Sequence, residues 1–204
     1  MTKPEIIHRS LTLFMEKGYD GASMSDIAQA TGIKKASLYA HFSGKEEIFS
    51  AVFSDVLLDY REAISALTKK RADESSLTRL ERMFRGFLRY CYQNTKVYFW
   101  DRYFYYPPEF IRARMEEETR ATQDEFLNAI RSAMEEGMAH GEIRNQPPEA
   151  AALAYYYLMI GLSMSVKLYT REALEEDISL AWSGLKQGLR PMTQEESSKW
   201  KKEN

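Results

Sequence analysis

The run Gly32-Ile33-Lys34-Lys35-Ala36-Ser37-Leu38-Tyr39-Ala40-His41-Phe42 constrains the fold more than any other part of this chain. It sets a glycine turn ahead of a short helix whose start is polar and basic. Directly before it, Ser23-Met24-Ser25-Asp26-Ile27-Ala28-Gln29-Ala30-Thr31 reads as a compact amphipathic helix, with Ser23 as N-cap and Asp26 three residues on, close to a capping box. Two short helices around a glycine turn make a helix-turn-helix. In the second helix Leu38 and Phe42 share an inward face, which leaves Lys34, Lys35, Ser37, Tyr39 and His41 at its start or on other faces.

Elsewhere apolar residues recur at helical spacing and no stretch alternates as a strand would, so an all-α fold is expected. A first helix over 3–17 carries Ile7, Leu11 and Phe14 on one face and stops at Gly18, a natural C-cap. After Ser43-Gly44, a long helix carries the stripe Phe49, Phe53, Leu57, Tyr60, Ile64 and Leu67, until the polar stretch 69–76 breaks it. Leu80, Phe84, Phe87, Leu88 and Cys91 mark the next, followed by an aromatic-crowded stretch over 98–110 that Pro107-Pro108 interrupts. A helix through Phe126, Ile130 and Met134 closes near Gly141, an uncharged helix follows over 149–169, and a last one spans 172–189. The expected organisation is a helix-turn-helix domain over 1–47, a larger helical domain over 48–190 and a polar tail over 191–204.

With 28 Lys plus Arg against 30 Asp plus Glu, the formal net charge of −2 excludes a general polyanion binder. Nucleic-acid contact has to rest on a local patch with some base reading, and its affinity should fall with salt. The single cysteine, Cys91, forms no intrachain disulfide, which fits a reducing cytosol. The N-terminus lacks the apolar stretch of a secretion signal, so a cytoplasmic location is expected. Residues 150–166 carry no charge, yet their tyrosines and serines point to a helix buried on several sides rather than a membrane span. His8, His41 and His140 lie far apart outside any metal signature, and neither a phosphate-cradling glycine loop nor a nucleophile with its base is present. No catalytic residue, metal or cofactor is expected.

A helix fits the major groove of B-form DNA, where every base pair shows a distinct donor and acceptor pattern. Lys34 and Lys35 stand at the helix start; Lys35 suits a guanine edge or a phosphate, and Ser37 suits either class. Tyr39 and His41 are better placed to fix the backbone. Lys45, in the first turn of the following helix, is a cation where the helix dipole disfavours one, and a nearby phosphate would reverse that penalty.

These residues resemble the N-terminal domain of the TetR family of transcriptional regulators. The resemblance covers the first 50 or so residues, through Gly18-Tyr19, Ala22-Ser23-Met24, Asp26 to Ile33, Ser37-Leu38-Tyr39, and His41-Phe42 with Lys45-Glu46-Glu47-Ile48. It implies a dimeric repressor whose third helix reads double-stranded DNA and whose larger helical domain binds a small-molecule effector. It further implies base or phosphate contact for Lys35 and Ser37, and phosphate contact for Tyr39, His41 and Lys45. Two positions depart from the family pattern: Lys34 stands where Ser or Thr commonly caps the reading helix, and Ala36 replaces a frequent glycine.

The C-terminal region carries no comparably specific motif. Phe84, Phe87, Tyr92, Phe99 and Trp100 supply large apolar surfaces for a concave site, joined by Tyr103, Phe104, Tyr106 and, from a later helix, Tyr156. Such a site suits an aromatic or hydrophobic compound. In the last two helices Leu158, Leu162, Leu174 and Ile178, with Trp182, Leu185 and Leu189, form a candidate seam for a homodimer built as a four-helix interface. A helical enzyme or carrier without DNA specificity, or a protein-interaction adaptor, are the alternatives; the cationic face from Lys34 to Lys45 argues against both.

Overall fold

Gly18 decides how the first helix ends. In the computed structural model α1 spans Lys3–Gly21, but Gly18 sits inside it at φ 77°, ψ 168°, a non-helical backbone that favours glycine and divides the element. The stop expected at Gly18 is thus a kink, with a further short turn beyond it. Gly32 closes α2 (Met24–Thr31) in the left-handed region at φ 71°, ψ 23°, and the N–H groups of Gly32 and Ile33 return to the carbonyls of Gln29 and Ala28, each at 3.1 Å.

The remaining helices are α3 Lys35–Tyr39, α4 Lys45–Thr68, α5 Ser76–Gln93, α6 Val97–Tyr103, α7 Arg112–Ala139, α8 Pro148–Ser163 and α9 Arg171–Leu189, with a 3-10 turn over Glu109–Ile111. The structure describes residues 1–166, 168 and 170–191, and among them the fold is all-α. The polar tail expected over 191–204 lies outside the described residues except for Pro191, as does position 169, where the uncharged helix was expected to end; α8 stops at Ser163. No helix among the described residues is long and apolar enough to cross a membrane.

The proline pair is not what shapes the aromatic stretch. α6 has already ended at Tyr103, and α5 is separated from it by residues 94–96. Side chains there satisfy the backbone in place of a continuing helix. Asn94 Oδ1 accepts the Lys96 N–H at 2.9 Å while Asn94 Nδ2 donates to Asp59 at 2.6 Å. The Lys96 ammonium lies 2.9 Å from Asp55 and 3.2 Å from Asp59, carboxylates one turn apart on α4.

The chain divides into two compact units. The first joins Met1–Ala63 with Asn94–Thr122, so α6 and the start of α7 belong with the N-terminal helices. Its core includes Ile6, Phe14, Ile27, Leu38, Phe49 and Phe53, with Phe99 and Tyr103 from α6. Phe49 is the hub: its ring stands edge-on to Phe14 at 5.2 Å and to Tyr103 at 4.9 Å, and lies 5.3 Å from Phe99. On α1, Ile6 rather than Ile7 is the more deeply buried.

The second unit joins Ile64–Gln93 with the chain from Gln123 onward. Phe84 packs on Tyr155 at 5.7 Å and on Trp182 at 5.9 Å, and Phe87 on Phe126 at 5.5 Å. Tyr155 is fully buried, and its hydroxyl donates to the Leu80 carbonyl at 2.6 Å. Arg89 pairs with Glu175 through two hydrogen bonds of 2.9 and 3.0 Å, fastening α5 to α9.

Both glycines should resist replacement, for different reasons. A Cβ at Gly32 meets nothing within 4 Å, so Gly32→Ala should lower unfolding free energy only by the left-handed strain, about 1 kcal/mol. Gly18 sits at φ 77°, ψ 168°, a region essentially closed to other residues, and a Cβ there would displace the Arg102 guanidinium that holds the Met15 carbonyl, so Gly18→Ala should cost more than Gly32→Ala in urea unfolding.

Candidate nucleic-acid interface

α3 is positioned by the helix before it, whose N-terminus is closed by a capping box. Ser23 Oγ accepts the Asp26 N–H at 3.1 Å and Asp26 Oδ2 accepts the Ser23 N–H at 2.9 Å, closing the capping box. Lys17 reaches the other oxygen of the same carboxylate, tying α1 to α2. The hydrogen bond from Lys17, then those from Ser23, hold the Asp26 carboxyl well below the usual range.

From that base, Leu38 of α3 is fully buried and Phe42 nearly so. Lys34, Lys35, Ala36, Ser37 and Tyr39 face solvent, and His41 is half-buried. Tyr39 leaves 49% of its surface exposed, a large aromatic held outside the core. Lys34 is the N-cap of α3 in extended conformation with no side-chain cap, so the position that departs from Ser or Thr is an uncapped start that carries an exposed lysine. The expected DNA-contact residues other than Lys45 therefore lie on one short helix and the turn after it.

Lys45 is differently employed. Its ammonium donates to the Tyr19 carbonyl at 2.7 Å and lies 4.1 Å from the Tyr19 ring centroid. A cation at the start of α4 thereby caps the carbonyl end of α1, which accounts for its place without a phosphate.

That carbonyl end carries a contact set the sequence did not disclose. Tyr103 Oη donates to the Phe14 carbonyl at 2.9 Å, and Arg102 donates to the Met15 carbonyl at 3.0 Å. Burial pushes the Tyr103 phenol up to about 12, so it stays a neutral donor. Two adjacent residues of α6 thus grip α1 within the first unit. A Tyr 89 residues or an Arg 87 residues from its acceptor gives no spacing signal by which to find it.

The residues expected to line an effector site fall into separate groups. Phe84, Phe87 and Tyr156 belong to the second unit, where all three are buried, and Tyr92 is half-buried on α5. Phe99 and Tyr103 are buried in the core of the first unit, where Trp100 packs on Phe53 at 5.8 Å and on Tyr60 at 5.6 Å. Phe104 and Tyr106 are exposed, Tyr106 by 85%. Of the expected dimer seam, Leu174, Ile178, Trp182 and Leu189 are buried inside the protomer; Leu158 is exposed, and Leu162 and Leu185 are half-buried. Leu153, Tyr157 and Leu180 are exposed apolar side chains on the same two helices, α8 and α9. No group of three or more His, Cys, Asp or Glu among the described residues is placed to hold a metal ion.

Residues 6–52 match the family described as bacterial regulatory proteins, tetR family. The chain is 55% identical over 47 residues to the biofilm operon icaADBC HTH-type negative transcriptional regulator IcaR of Staphylococcus epidermidis, a match spanning 23% of this chain and 25% of that protein. By structure it is similar to a TetR transcriptional regulator from Chloroflexus aurantiacus, with a TM-score of 0.71 at 24% identity, covering 93% of this chain and 96% of the other. It is likewise similar to AibR, solved in complex with isovaleryl coenzyme A and operator DNA, with a TM-score of 0.66 at 19% identity over 93% and 99% of the two chains. The sequence match to IcaR of Staphylococcus epidermidis spans 47 residues, whereas the likeness of fold to the two solved structures covers 93% of this chain.

Because its partners hold the folded Asp26 carboxyl below its unfolded value of about 3.9, the group contributes stability above about pH 4 and loses it as pH falls toward the folded value. Asp26→Asn should be less stable than the parent at pH 7, and the gap in thermal midpoint should narrow on acidification below pH 4.

Proposed function

We propose that this chain, whose N-terminal module is that of the TetR family, is a transcriptional repressor that binds a palindromic operator as a homodimer and is released by a small hydrophobic effector. The observation that carries the reading is the exposed face of α3, where Lys34, Lys35, Ser37 and Tyr39 stand in solvent on a helix anchored by Leu38. Lys35 and Ser37 read base edges or phosphates, while Tyr39 and His41 fix the backbone.

The dimer surface in this reading uses what the protomer leaves uncovered. α8 is apolar on every side, yet only Ala152, Tyr155, Tyr156 and Met159 are buried, and Leu153, Tyr157 and Leu158 remain exposed. With Leu180 of α9 and the half-buried Leu162 and Leu185, they supply an apolar face suited to a second copy. Leu174, Ile178, Trp182 and Leu189 support that face from the core side.

For the effector, the reading favours the aromatic core of the second unit around Phe87, Phe126 and Tyr156. In the same unit Trp182 packs on Phe84, and its Nε1 is buried without a hydrogen-bond partner among the described residues, a donor that an acceptor on a ligand would satisfy. AibR, of similar fold, is a protein solved with an acyl thioester and operator together, which agrees with a hydrophobic effector class. An effector that prefers the arrangement unable to bind DNA shifts the population toward it, and one that binds both arrangements equally releases nothing.

Selection of bound duplexes from a random double-stranded library tests the reading. A palindromic consensus is the expected result; no sequence preference at moderate ionic strength overturns it. On that consensus, Lys35→Gln should weaken binding about tenfold. Leu180→Glu should shift the sedimentation velocity from dimer to monomer and reduce operator affinity by about 100-fold through lost avidity.

A further inference from the structure

We propose that Lys3, outside the helix-turn-helix, is a phosphate contact that positions the exit of the reading helix on the duplex. This rests on the DNA-binding reading above and adds a residue that it does not contain.

Lys3 is the first residue of α1, the end at which a helix dipole disfavours a cation. Its ammonium lies 5.0 Å from the centroid of the Phe42 ring. Phe42 follows His41 directly, is 3% exposed, and sends its N–H back to the Leu38 carbonyl at 3.0 Å. The ring is therefore a fixed platform at the exit of α3, and the cation resting on it moves with the reading helix. The side chain of Lys3 is exposed and makes no ion pair among the described residues.

The acids nearby are already occupied. Glu47, whose carboxyl is lowered first by the Ser43 N–H, takes that N–H at 2.7 Å and the Ser43 hydroxyl at 2.8 Å, with Lys3 a weaker influence. Glu5 accepts from the Thr2 N–H at 2.6 Å and from its hydroxyl at 3.1 Å. Lys3 thus keeps its charge for a partner in solution. Lys45, the lysine expected to serve the phosphate beside this turn, has its ammonium on Tyr19 at the other end of α1. Lys3, on the Phe42 ring, is a cation at the exit of α3.

A neutralised phosphate releases counterions, so each such contact steepens the fall of log affinity with log salt by about 0.9. The probe is the duplex selected by the full-length parent protein, titrated at several potassium chloride concentrations. With one Lys3 in each protomer of the bound dimer, Lys3→Gln should flatten the slope by about 1.8 and weaken binding uniformly across sequence variants; Lys3→Arg should restore the parental slope. Lys186→Gln, a change at an exposed lysine of α9, serves as the control for net charge. Should Lys3→Gln keep the parental slope while Lys35→Gln weakens binding, the role assigned to Lys3 is overturned and DNA binding by α3 stands. A parent that selects no duplex at all overturns the functional reading instead.

Discussion

The carbonyl end of α1 is the constraint on which the first unit depends. Breaking the helix at Gly18 leaves carbonyls without helical partners, and each such group costs free energy if buried unsatisfied. Tyr103 takes Phe14, Arg102 takes Met15, and Lys45 takes Tyr19 just past the break. Two of these donors carry full positive charge at the negative end of a helix, the arrangement that makes such bonds strongest. The consequence is that α1, α4 and α6 form one body around Phe49, and α2 and α3 inherit their position from α1.

How legible this was follows from the range of the interactions. The helix-turn-helix is written in local chemistry: a cap at Ser23, a left-handed glycine at Gly32, and Leu38 and Phe42 four residues apart, all decided within about 20 residues of chain. The C-terminal half is not. Phe99 and Tyr103 have the same helical spacing whether they fill a core or line a cavity, and only their packing on Phe49 assigns them to the first unit. The stripe Leu174, Ile178, Trp182 and Leu189 correctly marks an apolar face of α9, but periodicity names no neighbour, and Trp182 packs on Phe84 of the protomer's own α5. Leu180, the exposed apolar residue, lies off that stripe. The break at Asn94 was hard to see because the carboxylates that hold Asn94 and Lys96 in place come from α4, remote in sequence.

Function in this chain divides along the same line. The surface proposed to meet DNA is small and polar, and its chemistry is carried by the few side chains that α3 holds out from the core. The second unit instead spends its polar groups on internal ties, such as Arg89 with Glu175 and Tyr155 with Leu80, and leaves apolar side chains of α8 and α9 outside. An apolar helix half-covered by its own protomer is stable chiefly when something else covers the remainder.

The pair Asp55 and Asp59 gives the junction after α5 a detent. Both carboxylates hold Lys96, and they repeat after four residues along α4, a separation close to one helical pitch of about 5.4 Å. The ammonium already lies between the two carboxylates, so a slide of α4 along its axis in either direction would lengthen one of the two contacts. The spacing of two aspartates thus sets the register of α4 against residues 94–96.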